Sequence, residues 1–320
     1  MTALAHAFVR PLLRAKCEAV RDAAARVSRS AGGGHVDPEA IHDYRVALRR
    51  LRTLLDASEP LFKRGPLARL RDGLRRFART AGAVRDEEVL GETLGTIDLP
   101  LAIRARVDAW LSARARRERA LRAAVIAQLA RTEPPPPGPD PVAPASSAPE
   151  VAPSDPGPPP LPVLLDLAEA LPLRRRAASI STRSLALSAV GAAAQKTLRE
   201  AARPDAGTPE RLHRLRIRYK GVRYTGELFS EAIARRGPLA EALAARVKVA
   251  TRMQKRLGEL HDLDEAIARV ARARALGVGE RMVVHHGLRS AREALLERLA
   301  RELPGALSAL QDDNGASSPP

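Results

Sequence analysis

His42, Arg45, Arg49 and Arg52 recur at intervals of three and four residues, and His213, Arg216, Lys220 and Arg223 repeat that pattern at a constant offset of 171. In an α-helix each residue turns by about 100° and rises about 1.5 Å, so each set falls within a sector of roughly 80° and forms a straight stripe roughly 15 Å long. A row of fixed cations suits a linear phosphate chain. Arginine donates two parallel hydrogen bonds to phosphate oxygens, and lysine adds a mobile point charge. Histidine adds a donor that titrates near a pH of about 6.5, and a neighbouring phosphate would raise that value, so binding is expected to tighten as the pH falls. Leu48, Leu51, Leu54 and Leu55 lie on the other side of the first stripe, where they can enter a core.

A single arginine stripe is most often only a solvated helix face. Repetition weighs against that reading, because a solvated face has no reason to repeat its histidine and its spacing. Asp37-Pro38-Glu39-Ala40-Ile41-His42 matches Thr208-Pro209-Glu210-Arg211-Leu212-His213. Asp37 and Thr208 suit the N-cap, and each proline then stands at the first helical position, where its missing N–H costs nothing. The match runs without a gap through His42, Arg45, Val46, Arg49, Leu51 and Arg52 against His213, Arg216, Ile217, Lys220, Val222 and Arg223. A second pair follows at offset 176: Arg79-x-x-Gly82-x-x-Arg85-Asp86 and Lys255-x-x-Gly258-x-x-His261-Asp262. A third, at offset 175, sets Arg114-x-x-Arg117-Glu118 against Arg289-x-x-Arg292-Glu293. The three elements keep the same order, which points to an internal duplication.

Two His-Asp doublets, His42-Asp43 and His261-Asp262, invite a metal-dependent phosphohydrolase reading. The repeat argues against it, since the partner of the first is His213-Arg214 and the partner of the second is Arg85-Asp86. What the two copies share is a cation rather than a metal ligand. Asp86 and Asp262 are expected to orient or pair with neighbouring arginine or lysine side chains, and adjacent His285 and His286 to be surface residues. No glycine-rich phosphate loop and no Cys-His spacing supports another enzyme class. No catalytic residue, metal or cofactor is therefore expected.

The elements that must carry these residues are helical. Apolar residues recur every three or four positions, and Pro and Gly mark the breaks. The pattern predicts helices over 3–29, 38–58, 66–93 and 100–131, then over 182–203, 209–235, 238–274 and 279–303, four to each half, with no strand alternation. The stretch 163–181 is ambiguous. Residues 134–162 hold 14 of the 26 prolines, which reads as an extended or disordered linker. The organisation expected is a first helical half at 1–132, a linker at 133–162, a second helical half at 163–305 and a disordered tail at 306–320. Small aliphatic residues must build the core, because aromatics are only 2% of the chain and 45% is hydrophobic.

The formal net charge of +17 divides into +11 for residues 1–132, −4 for 133–162 and +10 for 163–320. Each half thus holds its own basic excess at the cost of self-repulsion, which a polyanionic partner would relieve. The eight aromatics are too few for base stacking, and Tyr44, Tyr219, Tyr224 and Phe229 have a packing role to fill, which disfavours base readout of single-stranded nucleic acid or RNA. Binding to duplex DNA through phosphates alone stays open. Cys17 is the only cysteine, which excludes an intrachain disulfide and fits a reducing cytosol. No apolar run reaches the roughly 18 residues of a membrane span. The start of the chain, Met1 to Arg14, reads as an amphipathic helix rather than a signal peptide. A cytoplasmic protein without a membrane partner is expected.

These motifs resemble the CHAD domain, the conserved histidine α-helical domain. Its first half carries His-x-x-Arg-Val-x-x-Arg-Arg-Leu-Arg, as His42 to Arg52 read here, and its second half a segment like His213 to Tyr224. Its Gly-x-x-Arg-Asp segment is similar to Gly82 to Asp86 and Gly258 to Asp262. The resemblance spans nearly the whole chain outside the linker and the tail. It implies an all-α fold of two pseudo-symmetric four-helix bundles with basic residues lining a central pore. It also implies binding of inorganic polyphosphate and, in some members, a place on polyphosphate granules, where granule proteins would be further partners. By matching position, the pore would be lined by His42, Arg45, Arg49, Arg52, Arg79, His213, Arg216, Lys220, Arg223 and Lys255. The polyphosphate-binding set expected also takes in Arg76 and Arg252, one turn before Arg79 and Lys255, and the basic pairs Arg114, Arg117, Arg289 and Arg292. Gly221 departs from the pattern where the first half has Arg50. Some relatives are fused to a triphosphate-tunnel enzyme with a Glu-x-Glu-x-Lys signature; Glu-x-Glu occurs nowhere here.

Overall fold

The structure, a computed structural model, describes residues 4–32, 37, 39–131, 159–204, 207–233 and 237–311. Most of the expected linker and residues 312–320 of the expected tail lie outside them. The described residues form an all-α fold. The first half contributes α1 (Ala5–Gly32), α2 (Ala40–Ala57), α3 (Arg64–Gly95) and α4 (Leu101–Ala130). The second contributes α5 (Leu161–Glu169), α6 (Thr182–Ala201), α7 (Pro209–Ile233), α8 (Pro238–Ala271) and α9 (Val278–Gln311). All eight helices read from the apolar pattern are present. The ambiguous stretch resolves into the short α5 and a 3-10 turn at Arg175–Ser179.

The periodicity works as burial. Val9, Leu13, Cys17, Val20 and Val27 of α1 are buried, as are Leu48, Leu51, Leu54 and Leu55 of α2. The starts of the two stripe helices differ in detail. Thr208 caps α7 as expected, its hydroxyl accepting from the Arg211 N–H at 3.4 Å. Helix α2 begins at Ala40 rather than at 38, with Glu39 at the cap position. Asp37 still serves that end, its carboxylate accepting from the Glu39 N–H at 3.0 Å.

There are two hydrophobic cores, and each draws on both halves of the sequence. The first joins α1, α2 and the N-terminal part of α3 to α5 and the start of α6, with Phe229 of α7 and Leu243 of α8. The second joins α7, α8 and α9 to Leu90, Leu94 and Ile97 from the end of α3 and to Val107 and Trp110 of α4. Residues 163–190, expected within the second half, therefore pack with the first, as does Leu161 from the end of the expected linker. Helix α5 is clamped there: Arg10 donates to the carbonyls of Glu169 (2.5 Å) and Leu171 (2.6 Å). Arg21 pairs with Asp166 (2.9 Å) and Glu169 (2.7 Å). Gly73 of α3 makes the approach possible, since a Cβ there would stand 2.7 Å from Leu164.

At the other end the expected tail begins too early. Pro304, just past the helix end expected at 303, lies inside α9, and Ala306 and Leu310 beyond it are buried in the second core. Burial of those side chains offsets the backbone hydrogen bond that an interior proline removes.

Two helix pairs set the site. The stripe helices α2 and α7 pack against each other, and α3 packs against α8. The duplicated segments of the sequence thus meet between the halves.

Candidate anion-binding site

Stripe and core share each helix. On α2, Tyr44, Leu48 and Leu51 are buried, and the intervening Arg45, Arg49 and Arg52 stay half-buried. On α7, buried Leu215, Tyr219 and Val222 alternate with half-buried His213, Arg216, Lys220 and Arg223. His42 at the head of the first stripe is exposed.

The two stripes converge. Lys220 lies within the field of Arg216 on its own helix and of Arg49 and Arg45 across the α2–α7 contact. Tyr224 joins the helices: the Arg49 guanidinium stands 4.6 Å from its ring centroid and that of Arg223 stands 5.3 Å away. Cation–π contacts of this kind hold an arginine without neutralising it.

The glycine motifs on α3 and α8 face the stripes. Arg45 donates to the Gly82 carbonyl at 3.4 Å. The Arg216 Nε lies 3.9 Å from where a Cβ on Gly258 would stand. A glycine in each helix thus leaves open backbone for an arginine of the facing stripe. One turn on, Asp86 and Asp262 act on those same arginines through their charge, Asp86 on both Arg45 and Arg216 and Asp262 on Arg216. Among the described residues Arg49, Arg52, Arg216 and Lys220 form no ion pair, and the Nε atoms of Arg49 and Arg216 are buried with no hydrogen-bond partner. A buried donor left without an acceptor costs on the order of 1–3 kcal/mol.

Electrostatics reports the same frustration. Burial lowers the Arg45 and Arg216 guanidinium values despite the aspartates nearby, although arginine stays charged. Burial, then the fields of Arg216, Arg49 and Arg45, bring the Lys220 amine down to about 8. His213 and His261 meet through their Nδ1 atoms at 3.1 Å. Burial first, then Arg216, lowers both, taking His261 to about 3. Both histidines are therefore pushed toward the neutral form in the free protein, which works against the tightening toward low pH expected from the sequence.

The titration that remains is that of Lys220. An anion at the cluster favours the charged amine, so binding takes up a proton above a pH of about 8. Polyanion affinity is expected to fall as the pH rises through 8 toward 9.5. Lys220→Arg should abolish that fall, as measured by fluorescence titration at constant ionic strength. An unchanged pH profile in that variant would show that another group is responsible.

The other expected site residues divide by their partners. Arg76, Arg79, Lys255 and Arg289 are exposed. Arg252 is exposed and lies 3.7 Å from Glu302. Arg223 is engaged by Glu227 at 2.7 Å. Arg292 pairs with Asp264 at 2.5 Å. Arg114 grips Glu87 through two hydrogen bonds at 2.9 and 2.8 Å, and Arg117 approaches the same carboxylate at 3.3 Å. Glu87, with a side chain only 5% exposed, also takes Arg269 of α8 at 2.8 Å and so binds the two halves together. Asp86 and Asp262, expected to orient or pair with neighbouring arginine or lysine side chains, act on Arg45 and Arg216 through charge and form no ion pair among the described residues. The sequence offered His261 only as part of a His-Asp doublet and Tyr224 only as a packing residue, and placed neither in the anion site, where His261 faces His213 and Tyr224 carries two of the arginines. Each lay inside a motif already quoted, but neither has a signal of its own.

Asp86, His261, Asp262 and Glu265 share a cavity of about 120 Å³ with Arg269. Among the described residues no group of three or more His, Cys, Asp or Glu side chains is arranged to hold a metal ion. No helix among them is long and apolar enough to cross a membrane.

An all-helical fold with paired basic helices defines the class. The CHAD domain model matches residues 9–134 and 150–271, and the chain belongs to the CHAD domain family. That family is generally associated with polyphosphate and is not a known catalytic family. Two solved structures share the fold. A CHAD domain from the plant Ricinus communis is 20% identical, with a TM-score of 0.59 over 97% of this chain and 92% of its own. PptA from Streptomyces chartreusis is 18% identical, with a TM-score of 0.58 over 97% of this chain and 99% of its own. No curated protein matches the chain.

Proposed function

We propose that this protein binds inorganic polyphosphate without hydrolysing it, along a basic pore between two pseudo-symmetric helical halves. The observation that carries this reading is the convergence of Arg45, Arg49, Arg216 and Lys220 between α2 and α7, where Arg49, Arg216 and Lys220 have no carboxylate bound to them among the described residues. A folded protein keeps such charges half-buried only at a cost, and a chain of phosphates would supply the missing acceptors at repeated intervals. His42, Arg52, Arg76, Arg79, His213, Arg223, Arg252 and Lys255 would extend the track at either end. Arg289 and the already paired Arg114, Arg117 and Arg292 would add to the field more than to direct contact. Binding without turnover suits a targeting or scaffolding role at polyphosphate granules in the cytoplasm, beside other granule proteins. The small number of aromatics favours phosphate over base recognition.

The test is a titration of labelled long-chain polyphosphate at low salt, with released phosphate assayed in the presence of Mg²⁺ and Mn²⁺. Saturable binding with no phosphate release is the expected result. No binding at low salt would overturn the proposal, and metal-dependent release would replace it with a hydrolase.

A further inference from the structure

The chain holds 54 lysines and arginines, of which only six are lysines: Lys16, Lys63, Lys196, Lys220, Lys248 and Lys255. One of these six stands at the centre of the cluster, at the position where the first stripe has Arg49. Lys63, Lys196, Lys248 and Lys255 are exposed, whereas Lys220 and Lys16 are half-buried. The groups acting on Lys220 are Arg216 on its own helix, Arg45 and Arg49 on α2, and Asp262 on α8, with His261 of α8 also within its field. Cations outnumber the one carboxylate, and the amine forms no ion pair among the described residues.

We infer that Lys220 is a site of direct acylation by small anionic acyl donors of the acyl phosphate class, and that this modification switches the anion site off. The inference rests on the binding function proposed above, because the modified residue is one of its contacts. The arginines would do two things. They draw the dianionic phosphate of the donor toward Arg49 and Arg216, whose guanidinium groups form no ion pair among the described residues and can donate to its oxygens. They also disfavour the ammonium form, leaving a larger share of nucleophilic amine near pH 8 than an ordinary lysine has. The neutral amine attacks the carbonyl carbon of the donor. A C–N bond forms and the C–O bond to phosphate breaks. Inorganic phosphate leaves with the electron pair, and the proton lost by nitrogen passes to solvent. The product amide carries no charge, so the stripe loses its central cation. Arginine at the equivalent position of the first stripe cannot be acylated in this way, so one half would be switchable and the other not.

The experiment incubates the full-length protein with acetyl phosphate at pH 8.0 and quantifies acetylation at each of the six lysines by mass spectrometry over time. A parallel reaction uses an uncharged N-hydroxysuccinimide ester. Lys220 is expected to react roughly fivefold or more faster than the four exposed lysines with acetyl phosphate, and to keep only a smaller lead with the uncharged donor, which meets the same neutral amine but is not drawn in by the arginines. Lys220→Arg should leave the other five rates unchanged. Reaction at Lys220 no faster than at the exposed lysines would overturn the inference. Long-chain polyphosphate added beforehand separates the two ideas. Protection of Lys220 supports both, whereas selective but unprotected acetylation upholds the reactive lysine and counts against polyphosphate as the ligand. The acetylated protein is then expected to bind polyphosphate about tenfold more weakly, and unchanged affinity would overturn the switch.

Discussion

Arg49→Glu combined with Lys220→Glu is expected to remove polyphosphate binding almost completely while leaving the protein folded. A hydrogen bond to a charged group contributes roughly 1.5–3 kcal/mol. Two such losses correspond to about 3–6 kcal/mol, or a fall in affinity of roughly 10²- to 10⁴-fold, before any repulsion from the new carboxylates. Stability should change little, because neither side chain has an ion pair to lose among the described residues. The Arg49 contact with Tyr224 is the main loss, about 0.5–1 kcal/mol. It is offset by relief of repulsion among Arg45, Arg49, Arg216 and Lys220. The control is Arg272→Glu with Arg274→Glu, both exposed at the end of α8. It makes the same change in net charge away from the stripes and should weaken binding less than tenfold. Equal losses in the two double variants would mean that net charge, and not the cluster, does the binding.

Glu87→Ala is expected to have the largest effect on stability. The carboxylate is 5% exposed and receives Arg114, Arg117 and Arg269, so its removal leaves three guanidinium groups without their shared partner. Removing one partner of a buried ion pair costs roughly 3–5 kcal/mol. For a protein of this size that is a fall in Tm of roughly 4–8 °C. Differential scanning calorimetry reads it directly. Polyphosphate affinity should be unchanged or greater, since three cations lose an internal anion. A Tm within 2 °C of wild type would show that the α3–α4–α8 junction does not depend on Glu87.

Much of this was legible in the sequence, because helical periodicity is local. The eight main helices, the two cationic stripes and the glycine motifs all follow from spacing within single helices. What was not legible depends on contacts across the fold. An arginine three residues from another looks the same whether a distant carboxylate neutralises it or not. Arg114 and Arg49 therefore read alike, yet one grips Glu87 and the other finds no ion-pair partner among the described residues. Nothing local announced that α5 would pack with the first core, because Leu161, Leu164, Leu165 and Ala168 advertise only an apolar face and not the surface it covers. Pro304 misled in the opposite direction. A proline is a local stop signal, and the burial of Ala306 and Leu310 that carries α9 past it is a tertiary effect. His213 was read at its ordinary titration range, whereas burial, with Arg216 beside it, lowers it.

The central claim is that the stripes recognise a flexible phosphate chain and are not merely a cationic surface. The most direct measurement is a competition titration, with labelled long-chain polyphosphate displaced by unlabelled polyphosphate or by duplex DNA at equal phosphate concentration, repeated from 50 to 300 mM salt. Both ligands should weaken as salt rises, because counterions released on binding are taken up again. The account predicts that polyphosphate holds an advantage of at least tenfold across the whole range, and that Arg49→Glu with Lys220→Glu erases it. Equal competition by DNA at every salt concentration would contradict the account.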